Sequence, residues 1–101
     1  MKHDRNGYGP SLVQEEWRCH ICKRTDRALQ RHEVFHGPYR AKSKALGCWV
    51  ILCDLCHSDI HNGRRSEAEL KQEIQSLAMQ KYGWSVGDFR SHFGKNYLEG
   101  V

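Results

Sequence analysis

The chain has 101 residues and a formal net charge of +4. That length predicts one domain, and no stretch approaches the roughly 20 apolar residues of a membrane-spanning helix. Five cysteines without an apolar leader segment argue against a secreted disulfide framework, so we expect a reducing, cytoplasmic setting. A domain of this size buries a modest apolar core and commonly depends on a bound metal.

The positive charge is concentrated in the middle of the chain. Residues 18–65 contain ten lysines and arginines against four acidic residues, a net charge of +6. Residues 1–17 and 66–101 each carry a net charge of −1. A basic segment of this kind is typical of a surface that contacts phosphates, and a solvated basic face without a partner is the alternative.

The N-terminal half is predicted to contain an arm, two strands and a short helix. Residues 1–16 carry few hydrophobic anchors and are predicted to form a flexible arm. Residues 27–35 contain a short strand that ends before a Gly-Pro pair, because proline lacks a donor and restricts the residue before it. Residues 39–46 favour a short basic helix, and the β-branched and aromatic run at residues 48–52 is the clearest strand.

The C-terminal half is predicted to be helical. A short helix reaches His61, and Ser66 then begins the longest helix, where Glu69 completes a capping box. Apolar residues of that helix form one buried stripe, namely Leu70, Ile74, Leu77 and Ala78. A second capping box precedes a short last helix. Residues 66–101 are therefore expected to support a core formed by residues 17–65.

Four of the five cysteines form two C-x-x-C pairs with thirty residues between them. The pairs are Cys19 with Cys22 and Cys53 with Cys56. Thiolates at this spacing reach one ion from a tight turn, and zinc takes four tetrahedral ligands. Four thiolates fill the coordination sphere, so we predict a structural zinc site. A redox pair is the alternative, but it leaves the second pair unexplained. Cys48 is expected to be a buried small hydrophobic residue.

Four histidines and a glutamate near the cysteines are candidates for a second metal site. His57 and His61 are four residues apart, a spacing that places two imidazoles on one face of a helix. The zinc site would hold that helix against the strand bearing His32 and Glu33, and His36 follows that strand. A labile divalent cation on such ligands could activate water or stabilise a leaving oxygen in phosphodiester hydrolysis. Ordinary surface histidines are the alternative.

The motifs resemble those of the HNH endonuclease superfamily. The resemblance rests on C-x-x-C at residues 19–22, Arg-His-Glu-Val-Phe-His-Gly at residues 31–37 and Leu-Cys-Asp-Leu-Cys-His at residues 52–57. The chain is also similar to small phage and prophage HNH-like proteins, through Leu-Lys-Gln at residues 70–72 and Phe-Gly-Lys-Asn-Tyr-Leu at residues 93–98. The resemblance implies an α+β fold, with a zinc-braced ββα-metal core (HNH, or His-Me finger) and additional C-terminal helices.

The resemblance also implies roles for individual residues. His57 and His61 would bind a second, catalytic divalent cation such as Mg²⁺, Mn²⁺, Ni²⁺ or Zn²⁺. In the strand signature, one residue would bind this cation and its neighbour would act as general base. If His32 is the base, the ligand position falls on Arg31, whose guanidinium cannot bind a cation. If His32 is the ligand, the base position falls on Glu33, and this second register is favoured.

The sequence thus predicts a metal-dependent HNH-type DNA endonuclease of phage or prophage origin, with its catalytic surface either intact or degenerate. It would act in the cytoplasm of a bacterial host. The catalytic candidates are His32, Glu33 and His36, and the residues expected to contact the DNA backbone are Arg31, Arg40, Lys42, Lys44, Arg64 and Arg65. The alternative is a non-catalytic zinc protein that binds nucleic acid or serves as a phage accessory or recombination protein.

Overall fold

Two antiparallel strands joined by a helical connection form the centre of the fold. The computed structural model describes residues 7–98, and residues 1–6 and 99–101 of the predicted arm and C-terminal segment lie outside it. The described chain is a small α+β fold with a two-stranded sheet and four helices. The elements are, in order, β1 (Leu29–Glu33), a 3-10 turn (Gly37–Tyr39), α1 (Arg40–Ala45), β2 (Trp49–Cys53), α2 (Asp54–His61), α3 (Glu67–Tyr82) and α4 (Val86–Phe93). Within this part of the chain, no helix combines the length and apolar character needed to cross a membrane.

Strand β2 lies at the centre of the core, because all five of its residues are buried. Its β-branched and aromatic side chains favour the extended backbone, as predicted. β1 pairs with β2 in an antiparallel register that places His32 opposite Val50. Alternate residues of a strand lie on opposite faces of the sheet. Gln30 and His32 therefore share one face, and Arg31 and Glu33 share the other.

The helices α2, α3 and α4 each begin at a side-chain cap. Cys53, Ser66 and Ser85 each accept a hydrogen bond from the backbone N–H three residues further on. Such caps satisfy N–H groups that have no partner within the helix. The reciprocal contact of a capping box is present at Ser85, because the Asp88 side chain accepts from the Ser85 N–H. These local signals explain why the helix starts could be predicted.

Helix α4 packs against the end of the sheet through an aromatic cluster, and α3 adds aliphatic side chains to the same core. Phe35, just after β1, has its ring centroid 5.2 Å from that of Phe89 and 4.6 Å from that of Phe93. α3 buries most of its predicted apolar stripe, and it also buries Gln75. The Gln75 amide bonds the segment that follows α4, which satisfies the polar atoms that burial removes from water.

Residues 8–14 lie along the sheet and α1, and they do not form the free arm that the sequence predicts. The Gly9 N–H donates to the Lys44 carbonyl at 2.9 Å, and the Trp49 indole donates to the Gly9 carbonyl at 2.7 Å. The Ser11 hydroxyl donates to the Trp49 carbonyl at 2.9 Å. The prediction missed this packing because most of these contacts use backbone groups, which leave no hydrophobic pattern in the sequence.

The packing of residues 8–14 can be tested at Gly47. A Cβ built on Gly47 would overlap the Pro10 carbonyl oxygen, whereas nothing lies within 4 Å of a Cβ at Gly63. The two glycines have similar φ angles of +80° and +75°, a conformation that costs an alanine about 1–2 kcal/mol. We expect Gly63→Ala to lose that amount of unfolding free energy in urea titrations, and Gly47→Ala to lose about 1–3 kcal/mol more. Equal losses would show that residues 8–14 are not packed there.

Candidate metal centres and catalytic site

The four cysteines predicted to bind zinc converge where the sheet meets α2. The sulfur atoms of Cys19, Cys22, Cys53 and Cys56 all lie within 4.8 Å of one another. Cys22 Sγ and Cys53 Sγ are 3.7 Å apart, which is too long for a disulfide bond. A tetrahedral zinc ion with bonds of about 2.3 Å separates its sulfur ligands by about 3.8 Å. The cluster can therefore hold a metal ion such as zinc.

Backbone hydrogen bonds hold the two cysteine pairs beside each other. In the first pair, Lys23 adopts a φ of +67° and its N–H donates to the Cys19 carbonyl at 3.0 Å, which closes the turn. The His20 N–H donates to the Ile51 carbonyl at 2.7 Å and so attaches this turn to β2. In the second pair, Cys53 ends β2 and its sulfur caps α2.

The pKa values of the thiols are shifted in opposite directions by their surroundings. Burial opposes ionisation of Cys19, but backbone hydrogen bonds from three neighbouring residues outweigh it and lower the Cys19 pKa to about 6. Burial raises the pKa of Cys48 to about 12. Metals bind the thiolate form. Within the same cluster, burial raises the pKa of Cys56, so the low pKa of Cys19 is not shared by all four thiols. Cys48 lies outside the cluster and is a fully buried thiol, as predicted.

Three histidines predicted to bind a second ion lie side by side between β1 and α2. The ring centroids of His32 and His57 are 5.3 Å apart, and those of His57 and His61 are 4.5 Å apart. The Nε2 atoms of His57 and His61 are 3.0 Å apart. Within residues 7–98, the cysteines are nevertheless the only group of three or more metal-binding side chains whose ligand atoms all lie within 4.8 Å. A cation bound by all three histidines would draw them closer together.

His32 is the buried member of the histidine cluster. Its side chain is 7% exposed, and its Nε2 atom is buried without a hydrogen-bond partner among the described residues. The Glu67 carboxylate lies 4.0 Å from that atom, beyond hydrogen-bond distance. Burial, and then the charge of His57, lower the pKa of His32 to about 4. The imidazole is therefore neutral at pH 7 and has a lone pair that can bind a cation.

Glu67 and His36 lie close to His32 and extend the histidine cluster. Glu67 is the first residue of α3, and its Oε2 atom lies 3.2 Å from His36 Nε2. Burial opposes ionisation of Glu67, but Lys71 and His36 outweigh it and lower the pKa of this carboxyl group. Glu67 is therefore a carboxylate at neutral pH. The sequence motifs did not indicate Glu67, because only the packing of α3 brings it to this position.

Arg31 and Glu33, the two neighbours of His32 in sequence, both contact Tyr8. The guanidinium carbon of Arg31 lies 4.2 Å from the centroid of the Tyr8 ring. Glu33 accepts hydrogen bonds from the Tyr8 hydroxyl at 2.5 Å and from Arg40 Nε at 2.6 Å. The structure thus places His32, and not Arg31, beside the helix histidines. It also engages both carboxylate oxygens of Glu33, the predicted base.

One surface depression contains all of the predicted catalytic histidines. Its lining residues are Gln30, Arg31, His32, Glu33, His36, Gly37, Arg40, His57 and His61. Of the six residues predicted to contact DNA, Arg31 and Arg40 line this depression. Arg40 is exposed, whereas Arg31 is half-buried. The other four lie outside its lining, namely Lys42, Lys44, Arg64 and Arg65.

The cysteine cluster can be tested by elemental analysis of the purified chain, which should contain about one zinc ion per molecule. Cys22→Ala should lose the zinc and much of the helical circular dichroism signal, because metal binding contributes directly to folding. Cys22 is exposed, so its loss leaves no internal cavity. Cys48→Ala is the control and should keep the zinc, since Cys48 is outside the cluster. A full zinc content in Cys22→Ala would show that the four-cysteine site is wrong.

Comparisons with models of known protein families, with curated proteins and with solved structures gave no match. Function is therefore inferred from side-chain geometry and from the motifs.

Gln30 is a second residue of the site, besides Glu67, that the motifs did not indicate. Its Nε2 atom lies 2.8 Å from His57 Nδ1. The sequence held one signal for Gln30, because a strand residue two positions before His32 lies on the same face of the sheet.

Proposed function

We propose that the protein is a metal-dependent DNA endonuclease of the HNH type, of phage or prophage origin, that acts in the cytoplasm of a bacterial host. The observation that carries this proposal is the convergence of His32, His57 and His61 in one depression between β1 and α2. The order of two strands and then a helix, with a four-cysteine cluster at the helix start, agrees with the ββα-metal core that the motifs imply.

The histidine cluster has the chemistry of a site for a divalent cation such as Mn²⁺, Ni²⁺ or Zn²⁺. Two adjacent nitrogens on a six-coordinate ion are about 3.0 Å apart when the bonds are about 2.1 Å long. The Nε2 atoms of His57 and His61 are 3.0 Å apart and so match this spacing. His32 adds a third, neutral imidazole. A bound cation would supply a Lewis acid for the scissile phosphate and its leaving oxygen.

His36 is the predicted base that is best placed to accept a proton from the attacking water. Its side chain is 53% exposed, and its Nε2 atom contacts the Glu67 carboxylate at 3.2 Å. A carboxylate on one ring nitrogen orients the imidazole and stabilises the imidazolium that forms when the other nitrogen accepts a proton. Glu33 is less suited to this role, because Arg40 and Tyr8 already bond its carboxylate.

Arg40 is the residue best placed to hold the DNA backbone beside the histidines. It lines the same depression and its side chain is 64% exposed. Arg40 uses Nε to bond Glu33, and its guanidinium carries further donors that can bind a phosphate. Contacts of this kind give affinity without sequence preference. We therefore expect DNA binding that weakens steeply as salt is raised.

A second candidate function is that of a non-catalytic zinc protein that binds nucleic acid, as a phage accessory or recombination protein. The engagement of Glu33 favours this candidate, because Glu33 occupies the general-base position of the family signature in the favoured register. In that case the basic surface binds DNA and the histidines take part in no reaction.

The endonuclease proposal can be tested by nicking of supercoiled plasmid DNA with added Mg²⁺, Mn²⁺, Ni²⁺ or Zn²⁺. We expect the wild-type chain to nick the plasmid and His57→Ala to do so at least about 100-fold more slowly, because a lost ligand weakens a Lewis acid that contributes several kcal/mol. His92→Ala is the control, since His92 stacks on Trp84 at 4.1 Å, away from the depression. DNA binding by a wild-type chain that never cuts would favour the second candidate.

The identity of the base can be tested with two further variants in the same nicking assay. We expect His36→Ala to lower the rate about 10²- to 10⁴-fold, the usual contribution of a general base. Glu33→Gln should have a much smaller effect, because the carboxylate is not the base and the glutamine keeps both contacts: its oxygen can accept from Arg40 and its NH₂ group can donate to the Tyr8 hydroxyl. A large loss in Glu33→Gln together with an active His36→Ala would assign the role to Glu33.

A further inference from the structure

Gln30 contacts the proposed metal-binding histidines from β1. It is exposed and lies on the same face of the strand as His32. Its Nε2 atom is 2.8 Å from His57 Nδ1, and on the other side of that ring His57 Nε2 is 3.0 Å from His61 Nε2. Both ring nitrogens of His57 are therefore engaged, one by Gln30 and the other by His61.

The orientation of the Gln30 amide determines which nitrogen of His57 carries the proton. When the amide NH₂ group donates to Nδ1, the imidazole proton lies on Nε2 and is donated to His61. When the amide turns by about 180°, its carbonyl oxygen faces Nδ1 instead. The proton then lies on Nδ1 and is donated to Gln30, and the lone pair of Nε2 is directed toward His61. Both orientations use the same side-chain position.

We propose that Gln30 is a positioning residue that accepts the Nδ1 proton of His57 and directs the Nε2 lone pair toward a divalent cation shared with His61. This inference rests on the proposed metal site and adds a residue that the motifs do not include. A neutral imidazole carries one proton, so a cation bound at Nε2 of His57 would require the tautomer that carries this proton on Nδ1, where Gln30 would accept it. Metal-binding histidines commonly donate their other N–H to such an acceptor, and its loss lowers affinity about 10- to 100-fold.

The test measures Ni²⁺ binding to the full zinc-loaded chain by isothermal titration calorimetry. Because Gln30 is exposed, its variants should keep the fold. Gln30→Leu removes the acceptor, Gln30→Lys offers only donors, and Gln30→Glu offers only acceptors. Gln80→Leu is the matched control, since Gln80 is also exposed but lies on α3 outside the depression. Elemental analysis verifies that the zinc of the cysteine cluster is retained in every variant.

We expect Gln30→Leu and Gln30→Lys to bind Ni²⁺ about 10- to 100-fold more weakly than the wild type. Gln30→Glu should bind at least as tightly as the wild type, and Gln80→Leu should be unchanged. Because glutamate also adds charge, long-range ¹H–¹⁵N NMR with Zn²⁺ in the second site provides an independent measurement and should show the His57 proton on Nδ1. The inference would be overturned if Gln30→Leu bound Ni²⁺ as tightly as the wild type, or if Nδ1 of His57 were unprotonated in the Zn²⁺ complex.

The binding data also distinguish this inference from the endonuclease proposal. Ni²⁺ binding that depends on Gln30, in a chain that never cuts DNA, supports the role of Gln30 and contradicts the endonuclease. DNA cleavage by a chain whose Ni²⁺ binding is insensitive to Gln30 supports the endonuclease proposal and contradicts the role of Gln30. A wild-type chain that binds no ion besides the zinc of the cysteine cluster contradicts both.

Discussion

Cys53 is the residue on which the geometry of both clusters depends. It ends β2, its sulfur belongs to the four-cysteine cluster, and the same sulfur accepts a hydrogen bond from the Cys56 N–H at the start of α2. A metal ion bound there would fix the direction in which α2 leaves the sheet. His57 follows Cys56 directly, so the cysteine cluster determines where the first helix histidine lies. A metal ion held by the cysteine cluster would thus orient the histidine cluster without sharing a ligand with it.

The two faces of the sheet carry different sets of polar side chains. On one face, Gln30 and His32 meet the histidines of α2. On the other, Arg31 stacks on Tyr8 and Glu33 accepts hydrogen bonds that offset the cost of its burial. This division places the guanidinium of Arg31 against Tyr8, although Arg31 is adjacent to His32 in sequence. The neutral imidazole of His32 lies beside the helix histidines and can bind a cation.

Much of the fold could be predicted from local signals. The two strands, the helix after the second cysteine pair and the long helix at Ser66 lie close to their predicted positions, because β-branched runs, caps and an apolar stripe act over a few residues. The packing of residues 8–14 and the approach of Glu67 could not be predicted in this way. The first depends largely on backbone hydrogen bonds, and the second on where α3 packs against the sheet.

The sequence by itself determined the ligands of the cysteine cluster, because two C-x-x-C turns can reach one ion wherever the chain brings them together. It also placed His57 and His61 on one helix face by their spacing. Only the tertiary structure decided which of Arg31, His32 and Glu33 lies beside the histidines of α2. Strand alternation separates neighbouring residues onto two faces, but it does not say which face meets α2. The packing of α2 against β1 selected the face with His32, and residues 8–14 cover the face with Arg31 and Glu33.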